Sequence, residues 1–176
     1  MTKLTIKGRA IKLGDDISTD DIIPGRFAHL RSNLPELAQH VLEDAVPGFT
    51  AKVKSLLQEG GNKAILVAGR NFGLGSSREH APLVIKMSGI SAIVAQSVAR
   101  IFFRNAINQG LPVLLCDTSD IGDGDLLEVN LGDGTVANLT SNLRLHCNRL
   151  PPIVSAILEE GGLVSYIRKH KGFVLD

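Results

Sequence analysis

The chain has 176 residues, enough for one domain with a substantial core. Its 44% apolar and 21% charged residues exclude a disordered or fibrous protein and fit an ordinary soluble globular one. Lys and Arg number 19 against 18 Asp and Glu, so a formal net charge of +1 provides no long-range attraction to nucleic acid or to an anionic membrane.

Along the chain, MTKLTIKGRAIKL alternates polar and apolar residues instead of presenting a signal-peptide core. No apolar run approaches the roughly 20 residues that span a bilayer. A cytoplasmic protein is expected. KLTIKGRAIKL has the period of a half-buried strand, ending at Gly14. GDDISTDDIIPGRF follows with four aspartates, a Ser-Thr pair and Pro24-Gly25, and by composition it is a solvated turn with Asx caps. LPELAQHVLED has the spacing of a short amphipathic helix, with Leu34, Leu37, Ala38, Val41 and Leu42 on one face.

KAILVAG (63–69), SAIVAQS (91–97) and LPVLLCD (111–117) are short, almost wholly apolar runs, as suits strands covered on both faces. SREHAPLVIKMSG and VARIFFRNAINQG between them have helical length, and each is closed by a glycine. This order predicts a right-handed βαβαβ core with a parallel sheet. DLLEVNLGDGTVANLTSNLRL then alternates around Gly-Asp-Gly, a hairpin signal, and PPIVSAILEEGG reads as a helix with proline in its first turn. YIRKHKGFVLD is basic and then apolar, fitting a tail or a subunit contact. No linker interrupts the chain, so residues 1–176 are expected to form one α/β domain.

The densest polar chemistry lies in NFGLGSSREHAP, residues 71–82. Gly73 and Gly75 let the backbone approach a ligand, a following helix start offers free N–H groups, and Arg78 adds a charge matched to carboxylate or phosphate. The spacing excludes three familiar loops. A P-loop needs a lysine before its Ser/Thr, a dinucleotide fingerprint needs glycine where Arg78 stands, and a hydrolase elbow needs a second glycine after its serine. Three roles stay open for Ser76: a nucleophile with His80 as its base, a base in its own right, or a helix N-cap closed into a capping box by Glu79.

Other candidates are plainer. Cys116 and Cys147 are expected to be reduced thiols, and two cannot supply an iron–sulfur cluster, which takes three or four. His146 and Cys147 lack a second ligand pair, so no metal site is expected. Arg100 and Arg104, one helical turn apart, fit surface or intrachain salt bridges, or else an anion or partner contact.

In chain order, DDISTDDIIPGRF, GRNFGLGSSREHAP and SVARIFFRNAINQGLPVL resemble the small-subunit family of isopropylmalate dehydratases and homoaconitases, which is related to the swivelling domain of aconitase. The resemblance runs from about Gly8 to Gly162. It implies a three-layer β/β/α swivelling domain and a hydro-lyase that moves a hydroxyl between neighbouring carbons by dehydration and rehydration. For the isopropylmalate enzymes that step belongs to leucine biosynthesis. It also implies a large-subunit partner that carries a [4Fe–4S] cluster, with no cofactor bound by this chain and activity only in the complex.

By the same resemblance, Ser76 is the base that takes the proton next to a substrate carboxylate. Arg78 binds that carboxylate and helps stabilise the charged serine, and Ser77 lies at the substrate site. Thr19 and Asp20 match a Thr-Asp pair of the active site, while Asp16 and Asp21 are left structural. RFAHLRSN (26–33) stands where the family selects its substrate: His29 replaces a usual tyrosine, and Arg31 occupies the discriminating position. A desolvated arginine there suits a third carboxylate, as in homoaconitate or a broad-range enzyme. An Arg31 turned to solvent leaves isopropylmalate first. A non-catalytic anion-binding module is the remaining alternative.

Overall fold

The computed structural model of the chain describes residues 4–59 and 63–173. Its strands are β1 (Thr5–Lys12), β2 (Lys63–Ala68), β3 (Ile90–Ala95), β4 (Val113–Leu115), β5 (Leu126–Asn130), β6 (Thr135–Asn138) and β7 (Leu143–His146). They form one seven-stranded sheet in the order β4-β3-β2-β1-β5-β6-β7. Strands β1 to β4 are mutually parallel, and β1 pairs antiparallel with β5 through Thr5↔Asn130 to Arg9↔Leu126. The expected hairpin closes at Asn130↔Thr135 over Gly132-Asp133-Gly134, and β7 adds to its far side.

The apolar runs feed two cores by alternation. Ala64, Leu66, Ala68, Ile93, Ala95 and Val113 face one core, while Ile65, Val67, Ala92, Val94 and Leu114 face the other. The first core is covered by α1 (Thr19–Ile22), α2 (Leu34–Leu37), α3 (Phe49–Gln58), α4 (His80–Met87) and α5 (Arg100–Asn108). Leu127, Val129 and Val136 of β5 and β6 close the second, joined by α6 (Pro152–Glu159) and α7 (Leu163–His170). This is the expected β/β/α layering. The sheet curls until its edges meet: Asn148, just past β7, donates its N–H to the Leu115 carbonyl (3.0 Å) and accepts the Leu115 N–H at 2.6 Å.

The local structure departs from expectation in four places. The helix predicted over 34–44 stops after one α turn and a short 3-10 turn, Ala38–His40. Val41 is extended and Leu42 sits at φ +56°, which lets its N–H reach the Ile22 carbonyl and sends both side chains into the core. Tertiary burial here outweighs the helical spacing. Helix α3, for which no element was expected, turns only Phe49, Val53 and Leu56 inward, a narrow stripe at i, i+4 and i+7.

Helix α4 begins at His80, three residues later than SREHAPLVIKMSG suggests. Pro82 then falls in the first turn, where its missing N–H costs nothing. The first part of the C-terminal segment, residues 166–170, belongs to helix α7, with Tyr166 buried and stacked on the His170 ring at 4.5 Å, so this part is no loose tail. The end of YIRKHKGFVLD, residues 174–176, lies outside the described residues.

Candidate active site

The aspartate segment and the serine loop hold each other. Beyond the ends of β1 and β2 the chain continues the parallel ladder, with Leu13 N–H to Val67, Gly69 N–H to Gly14, Asp16 N–H to Arg70, Gly73 N–H to Ile17 and Thr19 N–H to Leu74. Each aspartate of GDDISTDD has a partner. Asp15 accepts the Arg70 N–H at 2.8 Å and its guanidinium at 2.9 Å, which holds the Asp15 carboxyl below its usual range. Asp16 accepts from Asn71 (2.7 Å), and Asp20 pairs with Arg78. Asp21 closes a capping box with Ser18, which is why α1 forms inside a segment whose composition reads as a turn.

On its other side the serine loop ladders onto the segment after β3. Phe72 N–H donates to the Ser97 carbonyl (3.0 Å), and Ala99 N–H donates to the Phe72 carbonyl (2.9 Å). Two glycines make this fit. Gly73 has φ +75°, and a Cβ there would lie 2.3 Å from the Phe102 ring. Gly75 has φ +102° and passes close to the Thr19 hydroxyl.

Ser76, Ser77 and Arg78 follow, all ahead of helix α4, whose N-cap is Glu79 with no side-chain cap. The capping-box role for Ser76 is therefore excluded: it lies too far from the helix start. No hydrogen bond joins Ser76 to His80, which leaves the nucleophile-and-base arrangement without its contact.

The loop opens on a cavity of about 330 Å³, lined by Thr19, Ser76, Ser77 and Arg78 on one side and by Arg100 and Asn105 of α5 on the other. It sits at the carboxyl ends of β2 and β3, where parallel α/β sheets bind ligands. Ser76 and Ser77 are exposed, and among the described residues neither hydroxyl has a hydrogen-bond partner in the chain. The Arg78 guanidinium is fixed from behind by the Ile23 carbonyl at 2.8 Å and by Asp20. Its side chain is 20% exposed, against 64% for Asp20. Two hydroxyls, a restrained guanidinium and the first turn of a nine-residue helix thus converge on one space, an arrangement that favours an anion.

The structure brings Thr19, Asp20, Ser76, Ser77 and Arg78 together. It does not bring Arg31 there. Arg31 is exposed in the 3-10 segment Gly25–Ser32, outside the cavity lining and without an ion pair among the described residues. Arg100 and Arg104 are exposed on the surface of α5, as one of the two plain readings has it, and among the described residues neither forms the ion pair of the other. The contribution of Ala99 and of Phe102 and Asn105 on α5 was not anticipated; its signal was a helix start shortly after a buried strand.

Among the described residues no group of three or more His, Cys, Asp or Glu side chains is placed to hold a metal ion. Cys116 and Cys147 are free thiols at the second core, hydrogen-bonded to each other and away from the cavity. Two thiols so placed do not fit an iron–sulfur cluster.

Residues 16–117 match the aconitase C-terminal domain family. The chain is 58% identical over 163 residues to the 3-isopropylmalate dehydratase small subunit 2 of Archaeoglobus fulgidus, covering 93% of this chain and 94% of that one. It is 48% identical to the isopropylmalate/citramalate isomerase small subunit of Methanocaldococcus jannaschii, with 93% and 94% covered. A crystal structure of 3-isopropylmalate dehydratase from Methanocaldococcus jannaschii matches with a TM-score of 0.85 at 43% identity, covering 96% of each chain.

Proposed function

Because the chain belongs to the family of 3-isopropylmalate dehydratase small subunits, built on the aconitase C-terminal domain, we propose that it works as a single swivelling domain completing a hydro-lyase with a large subunit. The reaction is the isomerisation of isopropylmalate by dehydration and rehydration, in leucine biosynthesis and in the cytoplasm. No helix among the described residues is long and apolar enough to cross a membrane. A [4Fe–4S] cluster on the large subunit supplies the Lewis acid for the departing hydroxyl.

This chain supplies the base and the carboxylate clamp. Ser76 takes the proton from the carbon beside a carboxylate, and Arg78 holds that carboxylate, with Ser77 beside it. A serine hydroxyl gives up its own proton only where donors and positive charge favour the alkoxide and water is scarce. Arg78 provides the charge, and a large subunit closing the open cavity provides the exclusion. The observation that carries this reading is that two unpartnered hydroxyls face one cavity with an arginine whose orientation Asp20 and Ile23 determine. A solvent-facing Arg31 supports isopropylmalate over a tricarboxylate.

The test is anaerobic reconstitution with the large subunit. Ser76→Ala is expected to lower turnover at least ~100-fold with assembly intact, the scale on which a positioned base acts; turnover near wild type removes the base. In the same assay, Arg31→Val is expected to keep the preference for isopropylmalate over homoaconitate. A reversal of preference would make Arg31 the selector.

A further inference from the structure

We propose that Thr19 is a positioning residue for Ser76, acting through the serine's carbonyl, and is not a substrate ligand. The inference rests on Ser76 being the base. Thr19 is one of three buried polar residues among those described, at 2% exposure. Its hydroxyl donates to the Ser76 carbonyl at 3.0 Å, and its N–H donates to the Leu74 carbonyl at 2.8 Å. One residue therefore grips the loop on both sides of Gly75.

Gly75 is where the loop needs that grip. With φ +102° and no side chain it has more torsional freedom than any neighbour, and a swing there would carry Ser76 with it. The close approach also depends on the glycine, since a Cβ would sit 3.2 Å from the threonine oxygen. The Ser76 carbonyl accepts a second bond from the Arg78 N–H at 2.8 Å. Both of its lone pairs are used, so the peptide plane between Ser76 and Ser77 is held from two directions.

A trans peptide points its N–H opposite to its carbonyl. With the carbonyl turned toward buried Thr19, the Ser77 N–H points away from Thr19, and among the described residues it meets no acceptor in the chain. Reversing that peptide would present a carbonyl oxygen where a donor now stands, which opposes negative charge on substrate or serine. Thr19 is in turn fixed by the capping box that starts α1, and Asp20, the next residue, holds Arg78. A four-residue helix thus sets both the serine and the arginine.

The test uses the reconstituted two-subunit enzyme with isopropylmalate. Thr19→Val keeps the buried shape and removes the donor, whereas Thr19→Ser keeps the donor. Expected are a kcat at least ~10-fold lower for the valine variant, with KM within about twofold and an unchanged far-UV spectrum, and a serine variant within about threefold of wild type. If the valine variant does not fold, Thr19→Ala is read in its place with the same expectation. A wild-type kcat in the donorless variant overturns the role, as does a raised KM at intact kcat, the mark of a substrate ligand. Failure of serine to rescue overturns it too. Ser76→Ala is run alongside: if it is inactive, the outcome at Thr19 judges the positioning role alone, and if it is active, the base assignment falls and the role with it.

Discussion

Gly73→Ala isolates the packing that shapes the cavity. The added methyl would lie 2.3, 2.6 and 2.7 Å from Cγ, Cδ2 and Cβ of Phe102, where contact normally begins near 3.4 Å. Phe102 has little room to yield: it is 2% exposed and meets Phe72 edge-on, with centroids 5.2 Å apart. Overpacking of this kind costs about 1–3 kcal/mol. An L residue at φ +75° costs about 1–2 kcal/mol more. Losing the glycine's freedom in the unfolded chain returns about 0.4–1 kcal/mol.

The net is about 1–5 kcal/mol, a fall in Tm of roughly 3–13 °C for a chain of this length. Thermal unfolding followed by circular dichroism measures it on the isolated subunit. Gly75→Ala is the control. Its nearest contact is one hydroxyl at 3.2 Å, so backbone strain dominates and the fall in Tm should be about a third as large. A Gly73→Ala protein melting within 2 °C of wild type would refute the reasoning, because it would mean that Phe102 moves freely.

Two more outcomes follow from local electrostatics. The Arg70 amide, and then its guanidinium, hold Asp15 below its ordinary 3.8. A carboxyl so lowered stabilises the fold above its unfolded value and loses that contribution as pH falls through its folded one. Asp15→Asn should therefore melt below wild type at pH 7, with the gap closing as pH drops under 3.8; a gap that persists in acid excludes this origin. Hydrogen bonding from Cys147 lowers the Cys116 pKa below its usual 9.0, while the same contact and burial push Cys147 up. Near pH 8 a neutral alkylating reagent should modify Cys116 first, as read by peptide mass spectrometry, and earlier labelling of Cys147 would contradict the polarity.

Much of the architecture was legible because burial on both faces leaves few sequence alternatives. The runs 63–69, 91–97 and 111–117 and the glycine-ended helices between them became β2, β3, β4, α4 and α5 in order. The helix over 34–44 failed for the opposite reason. Val41 and Leu42 are apolar at helical spacing, yet the core they fill is reached better from a kink. A local period cannot report a pocket built by distant residues.

The site divides along the same line. By itself, the amino-acid order determined the reactive inventory: two serines and an arginine behind paired glycines, four aspartates in a loop, and two thiols too few for a cluster. Those facts depend on residue type and near spacing, which the chain carries wherever it folds. Only the tertiary structure decided what each group faces. It set Thr19 under the Ser76 carbonyl, Asp20 behind Arg78, α5 across the cavity, and Arg31 out in solvent. The contacts of Thr19 with Ser76 and of Ile23 with Arg78 join residues 57 and 55 positions apart, brought together by the parallel pairing of β1 with β2, and no local pattern encodes a register between separate strands.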